Sequence, residues 1–83
     1  MRHQRRFEID ASREAAQTKG LIADLNRIVQ IISADISAQE EEARISDPSR
    51  PEYPLLARAL AARRDKLLDT IEALEHRLRA TGR

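Results

Sequence analysis

Ile45-Ser46-Asp47-Pro48-Ser49-Arg50-Pro51-Glu52-Tyr53-Pro54 is the stretch that decides how this chain folds. It holds all three prolines of the 83 residues. Proline has no N–H to give a helix and disfavours helix in the residue before it, so no helix runs through this segment. Both flanks carry helical patterns, and the segment therefore separates two helices.

Upstream, Ala11, Ala15, Thr18, Ile22, Leu25, Val29, Ile32, Ile36, Gln39 and Ala43 recur at alternating steps of four and three. This is a heptad seam, and it predicts a first helix over about 4–45. Gly20 costs such a helix about 1 kcal/mol relative to Ala, which a helix of this length tolerates, so the expectation is a continuous helix. Leu21, Ile28 and Ile31 stand beside the seam and make the stripe wider than a two-stranded contact requires. The width reads either as a generous core or as a surface for a further helix.

Downstream, Tyr53, Ala57, Leu60, Arg64, Leu67, Ile71, Leu74 and Leu78 repeat the same steps, broken only by Arg64. Ser49 and Glu52 have capping-box spacing, but Pro54 suits the first position of a helix, so helix 2 is placed at about 54–80 and the loop at 46–53. Arg64 has two readings: a packed stem with an outward charge, or an ion pair with a helix 1 carboxylate that sets the register. A short connection between two seams predicts an all-α, antiparallel coiled-coil hairpin, one domain over 1–83. Helix 1 at ~60 Å outruns helix 2 at ~40 Å, so the turns from Arg2 to Ala15 have no partner within the hairpin.

Composition agrees with long helices: 41% hydrophobic, 35% charged, and only 2% aromatic, all of it Phe7 and Tyr53. Cysteine is absent, which excludes disulfides, thiolate metal sites and cysteine nucleophiles. No run approaches the ~20 apolar residues of a membrane span, and the expectation is a soluble cytoplasmic protein without membrane insertion.

Chemistry has few candidates. His3 and His76 have no spacing that pairs them as metal ligands, and Glu40, Glu41 and Glu42 point in different directions around a helix. There is no phosphate-cradling glycine loop, nucleophile elbow or zinc-binding helix motif. The reading is therefore a non-enzymatic protein with no cofactor and no metal.

Charge is organised along the hairpin. The net charge is only +1. Arg2, Arg5, Arg6, Arg13, Arg77, Arg79 and Arg83 gather at the open end, while Asp35, Glu40, Glu41, Glu42, Asp47 and Glu52 outweigh Arg44 and Arg50 at the loop. Arg5, Arg6, Phe7, Ile9, Arg77 and Arg79 are the candidate partner-binding residues at the open end. Leu21, Ile28, Ile31 and Ile32 are the candidate self-association residues, through which a homodimer of hairpins would form a four-helix bundle. Arg63, Arg64 and Lys66 could contact phosphates, but the missing stacking aromatics and the small net charge weigh against nucleic acid.

The run Ile45-Ser46-Asp47-Pro48, then Tyr53-Pro54, then Ala57 and Ala61 before Arg63-Arg64-Asp65, resembles the central region of alphaproteobacterial members of the flagellar export FliJ family, and Arg6-Phe7-x-x-Asp10 fits it as well. The resemblance spans most of the chain from Phe7 to Leu67. It implies a soluble component of the flagellar type III export apparatus, a stalk-like antiparallel coiled coil whose partners are the export ATPase and the export gate, cytoplasmic and peripheral at the flagellar base. Members usually continue past the point where this chain stops at Arg83, so the implied relative is a short one.

Overall fold

The computed structural model describes residues 2–81, with side chains from 12 to 80. It is an all-α hairpin of two helices, α1 (Arg2–Ala43) and α2 (Leu55–Thr81), in a rod of 65 × 17 × 14 Å. α1 runs through Gly20 without a break, and a Cβ there would meet nothing within 4 Å.

The heptad seams pack as their spacing predicts except at Ala43, which is exposed; the side chain of Ala11 lies outside the described residues. On α1, Ala15, Thr18, Ile22, Leu25, Val29 and Gln39 are half-buried, and Ile32 and Ile36 are buried. On α2, Ala57 and Ile71 are buried, with Leu60, Arg64, Leu67, Leu74 and Leu78 half-buried. The core is concentrated at the loop end, where Ile32, Ile36, Tyr53 and Ala57 form one cluster with Ile45, Leu60, Ala61 and Leu67 packed against it. Ala57 has 0% exposure; its single methyl lets the two helices approach closely just where the loop must join them.

α1 ends two residues before the expected Ile45. Arg44 adopts a left-handed conformation, φ 56°. Its N–H donates to the Glu41 carbonyl and the Ile45 N–H to the Glu40 carbonyl, both at 3.2 Å. This is the paired hydrogen bonding of a Schellman motif, with an arginine where glycine is favoured. Ile45, the residue after the reversal, folds back onto the core cluster.

Two proline turns carry the chain across. Arg50 N–H donates to the Asp47 carbonyl at 3.2 Å around Pro48, and Tyr53 N–H to the Arg50 carbonyl at 3.1 Å around Pro51. Proline presets the φ of the second residue in such turns. Asp47 Oδ1 accepts from the Ser49 N–H at 3.0 Å and the Ser49 hydroxyl at 2.7 Å. Those bonds, the hydroxyl's first, hold the Asp47 carboxyl below its ordinary range. Ser49 thus serves the turn and does not cap α2.

α2 begins one residue later than expected. The Pro54 carbonyl accepts the Arg58 N–H at 3.1 Å, which makes Pro54 the cap residue and Leu55 the first helical one.

Arg64 crosses the seam: its Nη1 donates to the Ser33 hydroxyl at 3.4 Å. It reaches α1, as one sequence reading had it, but finds a hydroxyl and no carboxylate. The contact sets Arg64 beside Ser33 and so the end of α2 about level with residue 16 of α1. Roughly 14 residues of α1 backbone, about 20 Å, extend beyond it.

Candidate interaction surface

The surface follows from where the seam leaves each neighbouring residue. Ile32 belongs to the hairpin's own core, 5% exposed, and so is not part of an outward self-association surface as expected from sequence. The other three members remain outside: Leu21 at 48%, Ile28 at 37% and Ile31 at 55% exposure. At 100° per residue they lie on one flank of the α1 seam, so the large exposed apolar residues of α1 share one side of the rod.

That flank is a second row with steps of four and three, and its charged members have one sign. Glu14, Asp24, Asp35 and Glu42 fall on it, with no base among the described residues of the row. In an antiparallel pair, equivalent flank positions of the two helices share one face of the hairpin. On α2 that row holds Arg63, Lys66 and Arg77 with no acid, together with Leu56, Ala59, Thr70, Ala73 and Ala80. All of these side chains are exposed. Asp24, Asp35, Arg63 and Lys66 form no ion pair within the hairpin among the described residues.

The opposite face is different. There α1 presents Lys19, Asn26, Gln30 and Ser37, and α2 presents Arg58, Asp65, Glu72 and Arg79, mixed in sign. Leu68, 43% exposed, is the large apolar residue on that side.

Of the residues assigned to partner binding, the two with described side chains are not brought together. Arg77 and Arg79 are about 200° apart around α2, so they point to opposite faces of the hairpin. Arg79 lines a shallow groove on α2 with Asp69, Glu72, Ala73 and His76. The side chains of Arg5, Arg6, Phe7 and Ile9 lie outside the described residues. The basic cluster is divided as well: Arg64 turns inward to Ser33, leaving Arg63 and Lys66 outside.

Sequence reasoning missed the cluster at the loop. The Tyr53 hydroxyl donates to Glu40 Oε2 at 2.8 Å, and the Arg58 guanidinium stands 5.4 Å from the centre of the Tyr53 ring. Arg58 Nη2 also donates to the Arg50 carbonyl at 3.3 Å. The Arg50–Glu52 ion pair, 3.2 Å with both side chains 56% exposed, contributes little because water screens it. The arrangement braces a turn and leaves no enclosed space. Among the described residues no group of three or more ligand-type side chains could hold a metal ion, and no helix is long and apolar enough to cross a membrane.

Comparison with protein-family models, characterised proteins and solved structures returns no match.

Proposed function

We propose that this hairpin is a non-enzymatic helical adaptor that presents helix surface to other proteins, and that it serves as a stalk-like accessory component of the flagellar export apparatus. The observation that carries the first part is the fold: two helices form a rod of 65 × 17 × 14 Å, and most of their described side chains are exposed. The helix faces of such a rod can lie in a groove of a second protein, the helix-in-groove mode of recognition. The shallow, open grooves on α2 and beside the loop suit protein surfaces better than a small substrate.

The second part rests on the resemblance to the FliJ family. The residues that carry it, Asp47-Pro48, Tyr53-Pro54 and Ala57, build the turn and the close helix approach beside it. They speak for a shared hairpin more directly than for a shared partner. The export ATPase and the export gate are accordingly the partners to test first, with a cytoplasmic site at the flagellar base.

The experiment is co-elution and ATP hydrolysis by the flagellar export ATPase of the same organism, with and without the full chain, alongside an Arg6→Ala, Phe7→Ala variant. Co-elution and altered hydrolysis, both lost in the variant, are expected. Separate elution with unchanged hydrolysis would remove the ATPase as partner.

A further inference from the structure

One face of the hairpin carries an acidic row and a basic row side by side. The acidic one, on α1, also holds Leu21, Ile28 and Ile31. We infer that this face binds a second copy of the same chain, with a twofold axis along the rod, so that α1 of each copy lies on α2 of the other in a four-helix bundle. The inference is independent of which other protein the hairpin serves.

Charge selects both the occupant and its orientation. If two copies met with α1 on α1, Asp24 and Asp35 would face like charges. With α1 on α2, the acidic row meets the basic row of the other copy twice, once on each side of the axis, as an isologous interface requires. Each helix then lies antiparallel to both of its neighbours, the common arrangement of such bundles.

The register within the hairpin supports this pairing. Ser33 is level with Arg64. One step toward the loop from Arg64 is Arg63, and two steps from Ser33 is Asp35, so these two are level within about 1.5 Å. Counting the other way, Ile31 is level with Lys66. A twofold axis along the rod preserves level, so Asp35 meets the second copy's Arg63, and Ile31 meets the stem of its Lys66. Between Lys66 and Arg77 α2 offers Thr70 and Ala73; Thr70 is level with Ile28 within about 1.5 Å and is small enough for Ile28 to pack closely.

A stability argument points the same way. Within one hairpin the buried hydrophobic side chains are Ile32, Ile36, Tyr53, Ala57 and Ile71 among the described residues. Two helices alone cover one stripe of each other, which leaves the second apolar row of α1 to be covered by association.

Sedimentation equilibrium of the full chain across the micromolar range tests the proposal. A dimer is expected, with the dissociation constant raised at least about tenfold by Ile31→Glu. Asp35→Arg and Arg63→Asp should each weaken it by about tenfold, and an equimolar mixture of the two variants should recover the wild-type affinity, because each acid again meets a base at both sites. These substitutions are on exposed positions, and circular dichroism at high concentration checks that helix is kept. A strict monomer would overturn the proposal and leave the face to a different helical protein. A dimer insensitive to Ile31→Glu, or one whose affinity the mixture of Asp35→Arg and Arg63→Asp chains fails to restore, would overturn it too.

Discussion

The Tyr53 hydroxyl donates to the Glu40 carboxylate at 2.8 Å, while the Glu40 carbonyl accepts the Ile45 N–H at 3.2 Å. One residue in the last turn of α1 thus holds both sides of the loop: its backbone closes the helix, and its side chain anchors the residue just before α2. The Tyr53 ring is buried among Ile32, Ile36 and Ala57, so the bond positions an aromatic wedge at the closed end of the rod.

That bond makes stability depend on alkaline pH. The hydrogen bond to Glu40, then burial and the carboxylate's negative charge, raise the Tyr53 phenol above its ordinary 10.0. A raised value means that the stabilisation is complete below the unfolded phenol's titration and is lost as pH rises through the higher folded one. Urea unfolding should show Tyr53→Phe less stable than wild type near neutrality, with the difference shrinking in strongly alkaline buffer. An equal difference at both pH values would mean that the bond contributes nothing.

Arg44→Gly should stabilise the hairpin by about 1 kcal/mol, because Arg44 sits at φ 56°, where a Cβ is strained and glycine is not. Arg44→Ala is the control and should bring no such gain. Thermal unfolding distinguishes them.

Gly20→Ala should add roughly 0.5–1 kcal/mol and increase the helical circular dichroism signal. Gly20 is inside α1, is exposed, and has room for the methyl. A loss of stability would point to a bend at Gly20 in solution.

Ala57→Leu should cost about 1–3 kcal/mol by overpacking a position with no free surface. Ala62→Leu, five residues on and exposed, should change unfolding little. If the two behaved alike, the close helix approach beside the loop would not be what holds the hairpin together.

Most of the fold was legible because its signals are local. Three prolines interrupt hydrogen bonding wherever they stand, and steps of four and three mark one side of any helix. The ends were less legible: a left-handed residue is expected at glycine or asparagine, and Arg44 carries no such mark. The Tyr53–Glu40 bond joins residues whose proximity depends on the path of the loop between them. The single-sign rows could have been read from the heptad flanks, since they need only the seam and the antiparallel rule.

The sequence by itself determined two helices and the seam that joins them, because helical period and proline's missing N–H belong to the backbone. Only the tertiary structure decided that Arg64 reaches Ser33 and that the Tyr53 hydroxyl reaches Glu40. Those outcomes depend on where the second helix axis lies and at what level. Neither is a property of one helix read alone.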